Sequence, residues 1–141
     1  MKKRILVVLL GLACAIFISG VVIADEMLEK NAVDAAEEWL ALVDSAEYGK
    51  SWETAAESFK TQVSKQHWKQ SLSAVRKPLG KFVSREIMSR QYRTTLPGAP
   101  DGQYVVIQFK TSFEGKKSSV ETVTPMMDKD GKWRVSGYYI K

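Results

Sequence analysis

A loop that forces a reversal, running straight into a strand with one apolar face, constrains this chain more than any other stretch. From Leu96 to Phe113 it reads LPGAPDGQYVVIQFKTSF. Pro97 and Pro100 lack an N–H, and Gly98 and Gly102 admit positive φ, so neither a ladder nor a helix continues through them. Beyond the loop, Val105, Ile107, Phe109, Thr111 and Phe113 recur with period two and face one way, while Tyr104, Val106, Gln108, Lys110 and Ser112 face the other. The first set predicts a core face.

The segments before this strand predict helices. Leu28, Ala32, Ala36, Trp39 or Leu40, and Val43 recur every three to four positions between Glu26 and Val43, in a run without glycine or proline. A second stripe follows at Tyr48, Trp52, Ala55 or Ala56, and Phe59, read as one helix. A third, with Ser64 as N-cap, carries Trp68, Leu72 and Val75 and is expected to stop before Pro78. After Gly80 the pattern turns to strands. Phe82 to Thr95 alternates imperfectly, with Phe82, Met88 and Tyr92 on one face and Val83 and Ile87 on the other, which predicts a bulge or bend. Glu114-Gly115-Lys116 makes a turn. In the next strand Val120, Thr122, Thr124 and Met126 oppose Glu121, Val123 and Met127, and Pro125 implies an edge, a bulge or a strand end. Asp128-Lys129-Asp130-Gly131 turns the chain into a last strand, in which Trp133, Val135, Gly137 and Tyr139 oppose Arg134, Ser136, Tyr138 and Ile140. The expected fold is α+β, three N-terminal helices packed on a four-stranded antiparallel meander.

The first residues predict export. Lys2, Lys3 and Arg4 precede an apolar run from Ile5 to Ile18, and Val22-Ile23-Ala24 offers small residues where signal peptidase cuts, between Ala24 and Asp25. A leader of 24 residues leaves 117 of the 141 for one domain, 25–141, placed in the periplasm or secreted. Uncleaved, Ile5 to Ala24 would instead anchor the domain to the inner membrane, still on its outer side. Cys14 sits in a poor lipobox, and no other cysteine exists to make a disulfide, a thiolate or a metal site. The formal charge of +5 shrinks to +2 once the three leader cations are set aside, since 18 basic side chains then face 16 acidic ones. That balance argues against nucleic acid as a partner.

The patches AAEEWLALVD, SWE, RKPLG, LPGAPDGQYVVIQFKTSF, VETVTP and KWRVSGYYI together resemble a family of small exported bacterial proteins of unknown function, domain of unknown function 4019. The resemblance spans almost all of 25–141 and implies no activity. The order of helices before sheet is also similar, by analogy, to the cone-shaped fold called nuclear transport factor two-like or cystatin-like, a scaffold that hosts enzymes, binders and dimers alike.

Few residues offer chemistry. His67 is the only histidine, and beside Trp68 it should point to solvent. Glu121 is the better acid or base if it faces a cavity, with Tyr138 or an arginine as donor; otherwise it is solvated or paired across strands with Arg85, Arg93 or Arg134. A calcium loop from Asp128 fails, because its twelfth position is Tyr139. No motif asks for a metal or a cofactor, and HExxH, GxSxG, phosphate-loop and dinucleotide patterns are missing. The aromatics Trp39, Trp52, Phe59, Trp68, Phe109, Phe113, Trp133, Tyr138 and Tyr139 are expected mainly in the core. The reading is thus a non-catalytic envelope protein that binds a small apolar molecule, a peptide or another envelope protein, with Tyr104, Glu121, Arg134 and Tyr138 as candidate contacts. The alternatives are a small cone-fold enzyme using Glu121 as general acid or base, a peptidase inhibitor with Leu96 to Gly102 as its wedge, and, for the sheet face with Tyr104, Val106, Ser136 and Tyr138, a homodimer.

Overall fold

The structure, a computed structural model, describes residues 17–141. Four helices, α1 (Phe17–Asp44), α2 (Tyr48–Glu53), α3 (Glu57–Gln62) and α4 (Lys65–Leu79), precede four strands, β1 (Phe82–Arg93), β2 (Tyr104–Phe113), β3 (Lys116–Met127) and β4 (Trp133–Ile140). The strands pair antiparallel in the order β1-β2-β3-β4, a meander with β1 and β4 at its edges. The α+β class and the sheet are those expected. Most of the proposed leader, with Cys14, lies outside the described residues; its last part, Phe17 to Ala24, continues α1. Among the described residues no helix is long and apolar enough to cross a membrane.

Helix α1 lies on the inner face of the sheet. Ala32, Val33, Ala36, Trp39, Leu40 and Val43 are buried there, and the alanines let the helix backbone come close to Val105, Ile107, Phe109, Val123 and Val135. The predicted β2 core face holds in full. Three indole N–H groups then pin the smaller helices. Trp39 Nε1 donates to the Ser51 carbonyl at 2.8 Å, Trp68 Nε1 to Ser51 Oγ at 3.0 Å, and Trp52 Nε1 to the Val63 carbonyl at 2.6 Å. Each indole thus buries its ring and satisfies its donor.

Four local readings need correction. The second helix is two short ones, because Ala55 and Ala56 are buried and the Ala56 N–H leaves the helical ladder for the Val135 carbonyl at 2.8 Å. Helix α4 runs through Pro78 to Leu79, and its Leu79 carbonyl accepts the Gly115 N–H at 2.8 Å. A Cβ on Gly115 would lie 2.6 Å from the Pro78 carbonyl, so only glycine fits this β2–β3 turn against the helix end. Val75 is exposed, and Arg76 takes the place on the buried stripe after Leu72. In β1, bulges leave Val83 and Met88 without partners in β2, so the inner face is Phe82, Arg85, Ile87, Arg90 and Tyr92, not the grouping that simple alternation suggests.

One further bulge matters for function. Thr124 pairs with Gly137 but Pro125 with Val135, leaving Ser136 as the extra residue of β4, where Pro125 has no N–H to give. The parity of β4 shifts, and Tyr138 comes to the inner face opposite Val123 while Tyr139 is exposed. Alternation alone had put Tyr139 with Trp133 and Val135.

Candidate functional site

Helix ends and strand centres together deliver six polar side chains to one place beneath the sheet. Asp44 closes α1, Arg76 comes from the last turn of α4, and Arg85, Thr111, Glu121 and Tyr138 come from the inner faces of β1, β2, β3 and β4 in turn. Glu121 is 0% exposed and Arg76 5%. Burying a carboxylate costs several kcal/mol unless it is paired and fully hydrogen-bonded. Both conditions hold at Glu121. Its Oε1 accepts from Arg85 Nε at 2.8 Å and from Thr111 Oγ1 at 2.5 Å, and its Oε2 accepts from the Tyr138 hydroxyl at 2.5 Å.

Arg85 links this carboxylate to a second one. Its two terminal nitrogens donate to Asp44 at 2.8 and 3.1 Å, and Arg76 Nη2 donates to the same carboxylate at 2.8 Å. The result is a chain of alternating charge, Glu121, Arg85, Asp44, Arg76, with the two cations also stacked on aromatic faces. Arg85 lies 4.4 Å from the Phe82 ring centroid and Arg76 4.7 Å from that of Phe113. Burial alone would pull the Arg85 pKa down, but its hydrogen bonds with Asp44 and Glu121 outweigh that and hold it above the usual arginine range. For Tyr138, burial first and the neighbouring Glu121 charge second push the phenol well above its ordinary value. Arg76 Nε and Nη1 and Ser119 Oγ are buried without partners.

The Tyr138 shift carries a sign. A raised folded pKa means that the stability linked to the protonated phenol is complete below the ordinary tyrosine value of about 10 and is lost as pH rises through the higher folded value. Alkaline spectrophotometric titrations of the protein and of a Tyr138→Phe variant should therefore coincide through that ordinary range, diverging only as the fold is lost. A phenolate step present in the protein and missing from the variant near pH 10 would contradict the buried hydrogen bond.

A different surface has open space. A groove of about 800 Å³ runs between α3, the loop at Pro100 to Gly102 and the β3–β4 turn. Tyr104, Met126, Met127 and Pro100 give it apolar walls, and Glu57, Asp101, Lys129, Asp130 and Arg134 are among its charged rim residues. The rim is ordered from within. Arg134 donates to Asp128 at 3.0 Å and to both Asp130 oxygens at 2.8 Å, and the Arg134 hydrogen bonds hold the Asp130 carboxyl down at about 2. The pair of aspartates that suggested calcium is thus spoken for by an arginine. Tyr104 is buried beside Gly102 and donates its hydroxyl to the Pro100 carbonyl at 2.6 Å, so the reversal loop stands as a fixed wall.

The four candidate contacts therefore fall into two sets. Tyr104 and Arg134 line the groove, whereas Glu121 and Tyr138 are joined in the core and do not line it. Of the three arginines considered for Glu121, Arg85 makes the pair; Arg93 donates to Gln91 and Arg134 to the turn aspartates. The solvated alternative for Glu121 is corrected, because its face is the core face of β3. His67 is exposed, as its position beside Trp68 predicted. Asp44 and Arg76 went unnoticed, although spacing marks both: Asp44 extends Ala32, Ala36 and Leu40 by one four-residue step, and Arg76 extends Trp68 and Leu72 likewise.

Fold and site together define an α+β protein whose charged core is closed and whose open surface is a groove at one end of the sheet. The family described as protein of unknown function, DUF4019, matches residues 35–138, and the chain belongs to that family. No curated protein and no solved structure matches the chain.

Proposed function

We propose that this is an exported, non-catalytic envelope protein that binds a short extended peptide segment in the groove between α3 and the β3–β4 turn. The observation that carries the reading is the division of labour between the two polar regions. Glu121 is 0% exposed and both its oxygens accept from the protein's own donors, so the carboxylate serves the fold, while the groove offers a volume within the range of ligand sites, roughly 300–1,000 Å³. A lining of two methionines, a tyrosine and a proline under a rim of both charges suits a polypeptide better than a wholly apolar molecule. Methionine adapts its shape to varied side chains. Export rests on the basic, apolar and small-residue order of the first 24 residues.

Native mass spectrometry of the protein released gently from its host tests this. The expected spectrum shows a peptide-sized addition on a chain beginning at Asp25. The addition should be lost from Thr61→Trp, where an exposed α3 position lining the groove is filled by an indole. An unmodified mass in both proteins, or an addition untouched by Thr61→Trp, would overturn the groove reading.

A further inference from the structure

The outer side of α2 and α4 gathers positive charge that the protein does not itself neutralise. Two depressions of about 470 and 540 Å³ meet there and share Tyr48 and Lys69. Lys50, Lys65, Lys69 and Lys77 line them against Glu47 and Glu53 alone, a surplus of +2. Residues 25–141 carry +2 in all, so the rest of the domain is balanced. Glu53 is already paired with Lys65. Among the described residues Lys50, Lys69 and Lys77 are exposed and in no ion pair, and Glu47 is the one unpaired carboxylate beside them.

The three free cations form a line. Lys69 and Lys77 each follow a buried residue of α4, Trp68 and Arg76, so both stand on one flank of the helix, about 12 Å apart along its axis. Ser73 and Ala74 lie between them and keep the floor low. Toward α2, Lys69 Cδ lies 3.7 Å from where a Cβ on Gly49 would stand, which brings its stem beside Lys50. Helix α4 holds no acidic residue in its 15, and Lys65 and Lys69, four residues apart, repel each other. A bound anion would relieve that repulsion.

The lining also selects among polyanions. Single-stranded nucleic acid is held by several aromatic faces on which bases stack, and Tyr48 is the one aromatic in this lining. A helix that lies on an anionic bilayer buries an apolar face in it, whereas these depressions have no large aliphatic side chain, and the exposed Val75 of α4 lies outside them. A polypeptide needs neither. Four extended residues cover about 13 Å, close to the separation of Lys69 and Lys77, and put side chains at alternate positions on one side. We infer that the α2–α4 face binds an extended acidic segment of another protein, its alternate carboxylates pairing with Lys50, Lys69 and Lys77. Such exposed pairs steer and select a partner more than they tighten it.

Amide spectra of the isotope-labelled protein, titrated with a short peptide alternating glutamate and serine, test the inference. The expected result is saturable shifts confined to Tyr48–Lys50 and Lys69–Lys77, weakening as salt is raised, and none with a matching lysine and serine peptide. Lys69→Glu combined with Lys77→Glu should weaken binding at least about tenfold. Arg93→Glu combined with Lys110→Glu makes the same change of charge on exposed side chains of the sheet and should leave binding within about twofold. Both free variants should keep the amide spectrum of the folded protein. An equal loss in the two variants, shifts elsewhere, or an oligothymidylate or phosphatidylglycerol vesicles moving the same amides at lower concentration than the peptide would each overturn it. None of these readouts depends on the groove being occupied.

Discussion

Replacing Glu121 by alanine is expected to lower the unfolding free energy by about 3–5 kcal/mol, the cost of removing one partner from a buried ion pair. The substitution strands the Arg85 Nε, the Thr111 hydroxyl and the Tyr138 hydroxyl at once, in a region where Glu121 itself is 0% exposed. Against a total of about 5–15 kcal/mol for a domain, that loss leaves little margin at growth temperature. Glu121→Gln keeps the size and an acceptor oxygen, so its loss should be smaller. Urea unfolding of the two variants beside the parent gives both numbers, and a cost under about 1 kcal/mol for alanine would mean that the network contributes like an exposed pair.

Asp44→Ala should be as damaging, by a different route. Asp44 is the one carboxylate on which Arg76 depends, since Arg76 Nε and Nη1 already lack partners and only Nη2 is bonded. Removing it leaves a guanidinium 5% exposed with no salt-bridge partner among the described residues, again a loss of about 3–5 kcal/mol. Arg85 loses two hydrogen bonds in the same step. Because Arg85 keeps one carboxylate in each single variant and none in the double variant, the double variant should cost more than the two single losses added, by about 0.5–3 kcal/mol. Strict additivity in urea unfolding would show that the two carboxylates act separately and that the chain of charge is not a unit.

The sequence made the sheet legible and the site only partly so, for physical reasons that can be named. Period two in Val105 to Phe113 identified a core face because one side of β2 is wholly covered. The same rule misassigned Tyr138 and Met88, because a bulge inserts one residue and reverses the parity of everything beyond it. Pro125 hinted at such a break without locating it on the neighbouring strand. Glu121 drew notice as a charge amid alternating apolar residues, and Arg85 was among its expected partners. Its face stayed ambiguous because Val120 and Val123 are both apolar. Neither Asp44, one residue past the apolar stripe that ends at Val43, nor Arg76, inside the patch RKPLG, was singled out. Their stripe positions place them in the core, yet a charge on a buried stripe is recognisable only once its partner from another element is known. Tyr104 and Arg134 were named as contacts, but the groove that joins them was out of reach, since its walls come from α3, one loop and one hairpin brought together only by the fold.

The most direct measurement of the central claim, that the buried carboxylate builds the fold and the groove does the binding, is native mass spectrometry of Glu121→Gln protein released from its host. Urea unfolding would be run on the same preparation. The account predicts a protein of reduced stability that still carries the peptide-sized addition lost from Thr61→Trp. A folded Glu121→Gln protein that has lost the addition as completely as Thr61→Trp would contradict it, and would make the core carboxylate part of the binding site.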